Sequence, residues 1–215
     1  MCVYKGDPKI QFTYIIILTF FILSTFLVLI LIKIIYRHNP HFHDLYGNEI
    51  VLFHSYERYK KRLWRFNLIQ DLKNLKNKGK ISDELELQVV VGEFSEDTQE
   101  IIKHAANDKF GLITIIAGPK VFCADRTEIY TLLDKYKSVK YFILSIRPTK
   151  HFMIFNKSHL YIEKPHRHNE GRGSVGIKNS NPELIKIYNQ AFVKMLDYAR
   201  PLNKEEVLKQ QCYKD

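Results

Sequence analysis

The chain begins with a long apolar stretch and continues with short hydrophobic runs separated by polar residues. Residues 10–32 carry no charge and consist mainly of Ile, Leu and Phe. As a helix rising about 1.5 Å per residue they span about 34 Å, more than the roughly 30 Å hydrocarbon core of a bilayer. We therefore predict a transmembrane helix over residues 10–36, preceded by a short extracytoplasmic N-terminus, residues 1–9. A secretory signal peptide is the alternative, but the run is too long for a signal core and is followed by a poor cleavage site.

The charges that flank this stretch predict its orientation, with the lipid bilayer as a partner. Two lysines precede it, whereas Lys33, Arg37 and a larger group of cations between residues 58 and 65 follow it. Because cytoplasmic flanks carry the excess of Lys and Arg, we expect the N-terminus outside and the C-terminal domain in the cytoplasm. The cysteines are few and widely spaced, which fits a reducing compartment: Cys2, Cys123 and Cys212.

Residues 37–84 form a connector, a juxtamembrane loop followed by an amphipathic segment. From Glu49 to about Lys78 apolar residues recur every three or four positions, which predicts a helix. The apolar stripe is Leu52, Tyr56, Tyr59, Leu63, Phe66, Ile69, Leu72 and Leu75, and the other face carries Glu57, Arg58, Lys60, Lys61 and Arg65. This helix either packs on its own domain or forms a stalk that pairs with a second copy.

Residues 85–202 change to short apolar runs that alternate with amphipathic segments. The predicted strands are Leu85–Val91, Leu112–Ala117, Tyr141–Ile146, His151–Phe155, His159–Ile162 and Val175–Ile177. The predicted helices are Ser95–Asn107, Asp125–Lys137 and one that begins at Asn181 and Pro182. This order, βαβαβββ(β)α, predicts an α/β sandwich, followed by a C-terminal tail at residues 203–215.

The predicted hairpin and the segments after it resemble a known family. The hairpin begins His151-Phe-Met-Ile-Phe-Asn-Lys-Ser158, and a later helix opens with Asn181-Pro-Glu-Leu184. The stretch Glu100–Leu202 resembles one half of a phospholipase D-like phosphodiesterase domain, whose motif is His-x-Lys, four residues and then Asp. The resemblance implies an α/β fold class: a phospholipase D-like α/β sandwich half-domain, here preceded by a single transmembrane helix and a helical stalk.

The chain departs from that family at the residues that carry its chemistry. Met153 replaces the Lys of the motif and Ser158 replaces its Asp, while His166 and Ser174 stand where the family has Asn and Glu. In the family the His attacks phosphorus and the Lys holds a phosphate oxygen. A thioether carries no charge, so losing this cation costs several kcal/mol of transition-state stabilisation. His151 is therefore the one catalytic candidate, in an enzyme that would need a homodimer.

Cations and histidines nevertheless crowd the region of the motif and predict a pocket for a phosphate-bearing ligand. The candidate ligand-binding residues are Arg147, Lys150, His151, His166 and Arg167. The alternative is a vestigial site that carries ordinary surface charge. Two histidine groups are weaker candidates for a metal site. For His38, His41 and His43 a solvated loop is preferred, and His166 and His168 with Glu163 are an alternative zinc site. We predict neither a bound metal nor a cofactor.

The net charge of the chain indicates a function only when the region around the apolar stretch is considered separately from the rest. The formal net charge is +10 and the pI is about 9.4, which fits a nucleic-acid binder, but much of the charge follows the apolar stretch and fits membrane topology. The leading prediction is a membrane-anchored protein whose inactive phospholipase D-like domain is a sensor or regulatory module, dimeric, with a phosphate-bearing ligand or a protein as partner. A bacterial stress or anti-phage role is a fold-level analogy. The alternatives are a membrane-anchored phosphodiesterase that uses His151 and a membrane-tethered nucleic-acid-binding module.

Overall fold

The computed structural model of the protein describes residues 17–28, 30, 41–43, 49–121, 123–163 and 173–210. The chain divides into two compact units, Met1–Pro40 and His41–Asp215. In the first unit, residues 17–28 are helical (α1). Among the described residues, no helix is both long enough and apolar enough to cross a membrane. The rest of the predicted membrane segment, residues 10–16, 29 and 31–36, lies outside the described residues.

The described part of the second unit is built on one mixed sheet with helices on both faces. Its nine strands are β1 (His41–His43), β2 (Glu49–Phe53), β3 (Glu86–Val91), β4 (Leu112–Ala117), β5 (Val139–Ile143), β6 (His151–Phe155), β7 (His159–Glu163), β8 (Ser174–Lys178) and β9 (Arg200–Pro201). Its helices are α2 (Arg58–Asn77), α3 (Glu96–Asn107), α4 (Cys123–Lys135), α5 (Pro182–Asp197) and α6 (Lys204–Lys209). The strand order is β1-β2-β8-β7-β6-β3-β4-β5-β9.

The sheet has a parallel half and an antiparallel half. β3, β4 and β5 are parallel neighbours, because α3 and α4 return the chain to the same edge each time. β6, β7 and β8 form an antiparallel meander, and β6 pairs antiparallel with β3. At the β6–β7 turn, Asn156 and Lys157 have φ of 47° and 53°, and the Ser158 N–H donates to the Phe155 carbonyl (3.2 Å). This left-handed turn matches the twist of the strands and sets their register.

Alternate strand residues enter two hydrophobic cores on opposite faces of the sheet. The core on the α2, α3 and α4 face includes Leu68, Ile69, Leu87, Val89, Ile101, Ile115, Leu132, Met153, Phe155 and Tyr161. The core on the α5 face includes Val90, Ile116, Phe152, Ile154, Leu160, Ile185 and Phe192. His151 shares its face with Met153 and Phe155, as strand alternation predicts, and this face carries the candidate site.

The connector differs from the predicted helix at its beginning. Glu49–Phe53 is a strand paired antiparallel with β8, and α2 begins only at Arg58. The helix packs on its own domain through a stripe centred on Trp64, Leu68 and Leu72, which is one of the two predicted arrangements. Gly176 of β8 makes room for it, because a Cβ there would lie 2.7 Å from the Trp64 ring.

The helix also turns different residues outward from those that its spacing predicts. The polar face was expected to include Lys61 and Arg65, but they are buried, 7% and 2% exposed. The predicted apolar stripe begins with residues that are instead exposed: Leu52, Tyr56, Tyr59 and Leu63. Because residues 49–53 form a strand, the helical spacing that was counted from Leu52 does not apply to the beginning of this segment.

From β3 onward the predicted order of strands and helices is found in the structure. β3, β4, β6 and α3 agree with their predicted bounds within one residue, whereas α4 and β5 begin two residues earlier than predicted. The short strand β9 and the helix α6 were not predicted, and α6 lies in the segment expected to be a tail.

Cys123, the first residue of α4, is disulfide-bonded. The other two cysteines, Cys2 and Cys212, lie outside the described residues. The compartment of the domain and the orientation of the chain stay predictions.

Candidate functional site

The candidate site lies where the carboxyl ends of β3 and β4 meet the beginning of β6. Gly92 directly follows β3, and a Cβ at this position would lie 2.7 Å from both Arg147 Nε and His151 Nε2. The two nitrogens are thus at most twice that distance apart, and the missing side chain of Gly92 gives both of them room. This edge of a parallel sheet is where α/β folds commonly bind ligands.

The two candidates beside Gly92 differ in how firmly they are held. His151, the first residue of β6, is 2% exposed, so strand pairing and packing fix its ring. Arg147 lies in the loop between β5 and β6 with 43% of its side chain exposed, and its Nη2 pairs with Glu93 Oε1 at 3.1 Å. Lys150 is exposed next to His151. A fixed imidazole and a partly exposed guanidinium thus lie together beside Gly92.

A group of hydrogen-bonded side chains lies across the sheet from His151. Glu163 lies directly opposite His151 on β7, and Ser174 lies opposite Glu163 on β8. The Tyr161 hydroxyl donates to Glu163 Oε1 (3.3 Å) and lies 3.0 Å from Ser174 Oγ. Burial raises the pKa of Tyr161, so the hydroxyl remains protonated and able to donate.

A buried cation from the connector helix lies next to this group. The guanidinium carbon of Arg65 is 4.7 Å from the centre of the Tyr161 ring. Arg65 Nε also donates to the Lys61 carbonyl at 3.1 Å. Tyr161 is the cross-strand partner of Met153, the residue that replaces the lysine of the resembled motif. The domain therefore retains a cation near that position, but the cation comes from α2.

Met153 and Ser158, which align with the Lys and Asp of the resembled motif, lie in different environments. Met153 is 3% exposed in the core on the α2 face, where its thioether contributes packing and no charge. Ser158 lies in the β6–β7 turn, and its hydroxyl donates to the Asn156 carbonyl at 3.0 Å. The replacement of the motif's Lys and Asp by these two residues stays a prediction from the sequence.

The remaining sequence candidates cannot be placed. His166 and Arg167 lie outside the described residues, as do His38 and His168. Among the residues that are described, no group of His, Cys, Asp and Glu has the arrangement of a metal site. The structure thus brings Arg147 and His151 together, with Lys150 beside them, and leaves the other two candidates as predictions.

Sequence reasoning missed three contributors to this region: Gly92, Arg65 and the Tyr161 hydroxyl. A glycine directly after a buried strand is a signal for close approach by another group, and the sequence contains that signal. Arg65 has no comparable signal, because the spacing of the apolar residues places it on the charged face of the predicted helix.

Comparisons with solved structures agree with this architecture. The phospholipase D family member Nuc from Salmonella typhimurium superposes with a TM-score of 0.55 and 11% identity, over 73% of this chain and 99% of that chain. NucT from Helicobacter pylori gives 0.51 and 15%, over 72% and 99%. No protein-family model matches the chain, and no curated protein matches it. The class that these likenesses define is a phospholipase D-like fold.

Proposed function

We propose that the domain binds a phosphate-bearing ligand at Arg147 and His151 and does not hydrolyse it. The observation that carries this proposal is the packing of both nitrogen groups beside Gly92, at the carboxyl end of β3. A guanidinium and an imidazole are suited to phosphate oxygens, the former by charge and the latter by hydrogen bonding. The fold supports the class of ligand, since the phospholipase D family member Nuc has the same architecture.

The replacement of the motif lysine supports binding without turnover. A cation that holds developing phosphate charge typically contributes about 3 kcal/mol or more to a transition state. Met153 cannot supply it, and Arg65 is 2% exposed and directed at the Tyr161 ring. Ground-state binding needs no such cation at that position, because Arg147 already offers one.

A membrane anchor and a dimer complete the proposal. The uncharged stretch at residues 10–32 supports a single membrane span, and the flanking charges support a C-terminal domain on the cytoplasmic side. In a dimer, a ligand that binds one arrangement of the two copies more tightly would shift the population toward it and act as a signal. Protease accessibility of the domain in sealed vesicles of known orientation tests the topology, and sedimentation of the detergent-solubilised chain tests the dimer.

The binding experiment uses the full chain in detergent with bis(p-nitrophenyl) phosphate as the probe. We expect saturable binding that Arg147→Gln and His151→Ala each weaken about ten-fold, the effect of losing one charge-assisted hydrogen bond. The matched control is Lys140→Gln, an exposed lysine on β5. No nitrophenolate release is expected.

Three results would contradict the proposal, each in a different way. Nitrophenolate release that His151→Ala abolishes would establish the phosphodiesterase alternative. If none of these variants changes the binding of the probe, only a vestigial site would remain. Binding of single-stranded oligonucleotides with a steep salt dependence, unaffected by Arg147→Gln, would favour the nucleic-acid module.

A further inference from the structure

A cavity lies at the end of the hairpin that is remote from His151. It has a volume of about 340 Å³ and lies between the second half of α2 and the residues where β7 begins and β8 ends. His159 begins β7, whereas Glu163, the partner of His151, ends it. At about 3.3 Å per residue, the length of β7 separates the two sites by roughly 13 Å.

His159 supplies a hydrogen-bonding group to this cavity. The residue is 7% exposed, and its Nδ1 accepts a hydrogen bond from the Asn179 N–H at 2.9 Å. Burial lowers the pKa of His159 to about 4, so the ring is neutral at neutral pH. The proton must then be on Nε2, since Nδ1 is an acceptor. No described residue accepts a hydrogen bond from this Nε2.

The walls of the cavity combine one apolar surface with charges at its edge. Leu68, Leu72 and Leu75 of α2 supply the apolar surface. Lys178 pairs with Asp71 at 3.2 Å, with 25% of the lysine side chain exposed, and Lys78 also lines the cavity. The two lysines exceed the single carboxylate by one positive charge. The combination of leucines, one neutral donor and one excess cation complements a molecule that has an apolar body and a single negative charge.

We infer that this cavity binds a small organic carboxylate with an apolar body. The leucines contact the body, while His159 Nε2–H and the Lys178 ammonium hold the carboxylate oxygens. A volume of about 340 Å³ is at the lower end of the range for ligand pockets, which limits the ligand to a single ring or a short branched chain. This site is independent of the phosphate site at Arg147 and His151.

The experiment titrates the full chain in detergent with benzoate and follows the imidazole nitrogen resonances of histidines labelled with ¹⁵N. Benzamide, which has the same shape and no charge, is the matched ligand control. We expect saturable benzoate binding that shifts the His159 resonances and leaves those of His151 in place. Lys178→Gln should weaken benzoate binding about ten-fold, since it removes a charge-assisted hydrogen bond.

A second pair of variants tests the location without altering the charges. Asn74 is exposed on α2 and lines the cavity, so Asn74→Trp should cover the opening and weaken benzoate binding at least as strongly. Asn77→Trp, at the exposed last residue of the same helix, is the matched control and should not change it. Equal affinities for benzoate and benzamide, or benzoate binding that neither Lys178→Gln nor Asn74→Trp weakens, would overturn the inference.

Discussion

The buried imidazole of His159 should make the stability of the domain sensitive to acid. Burial and the nearby Lys178 lower its pKa from the ordinary 6.5 to about 4, although Asp71 opposes the shift. The unfolded chain therefore binds a proton at a higher pH than the folded one does. Its contribution to stability is complete above pH 6.5 and is lost as the pH falls through 6.5 toward 4. A difference of this size corresponds to about 3 kcal/mol in total, of which about 2.5 kcal/mol is lost by pH 4.5.

The assay compares chemical unfolding of the full chain and of His159→Asn at pH 7.5 and pH 4.5. Trp64 is the single tryptophan and is 8% exposed, so its fluorescence reports the unfolding of this domain. An asparagine can still accept the Asn179 N–H and does not titrate. The parent chain should lose about 2.5 kcal/mol more than the variant between the two pH values. An equal loss in both proteins would refute the reasoning, because the carboxylates that both share would then account for all of the acid sensitivity.

Three further substitutions test the site and its support. Gly92→Ala places a methyl group against the buried His151 ring, so it should lower the unfolding free energy by about 1–3 kcal/mol and weaken phosphodiester binding, as measured by chemical unfolding and probe titration. Arg65→Ala removes a buried cation from the Tyr161 ring and leaves a cavity, which should cost about 2 kcal/mol or more in the same unfolding assay. Asn181→Ala removes the side chain that accepts the first free N–H of α5, at about 1 kcal/mol, seen as a lower unfolding midpoint.

Each of these predictions has a control or an outcome that contradicts it. Gly79→Ala is the control for Gly92→Ala. The added Cβ has open space around it, but the φ of Gly79 is 68°, so backbone strain should lower the stability of this variant. Probe binding should not weaken, which separates the effect of strain from that of the contact at Gly92. Arg58→Ala removes an exposed arginine of the same helix and should cost less than half as much as Arg65→Ala. Unfolding energies of the Arg65 and Asn181 variants equal to that of the parent would contradict the assigned contacts.

The hairpin that carries His151 could be predicted from sequence because everything that specifies it is local. β6 is a short apolar run that follows His151, β7 is a second short run, and Asn156 and Lys157 occupy the left-handed turn between them. α5 was predictable for the same reason, since Asn181 accepts the Glu183 N–H at 2.8 Å and Pro182 follows it. The fold class followed from the order of these local elements.

The connector could not be predicted in the same way. Leu52 and Tyr56 have helical spacing, yet Leu52 lies in a strand and both are exposed, 48% and 79%. The strand exists because Glu49–Phe53 pairs with β8, which lies far along the chain. Spacing states which residues can share a face of a helix, but pairing with a distant strand decides whether that helix forms.

The sequence by itself determined the uncharged stretch that predicts a membrane span and the order of the strands and helices from β3 onward, and it supplied the resemblance around His151. Only the tertiary structure decided which charged and polar groups are buried. Arg65 is covered because α2 lies over Tyr161, and His159 is enclosed because α2 also passes the end of the hairpin. Burial depends on contacts between segments distant in sequence, and the approach of Arg147 and His151 to Gly92 depends on the meeting of two such segments.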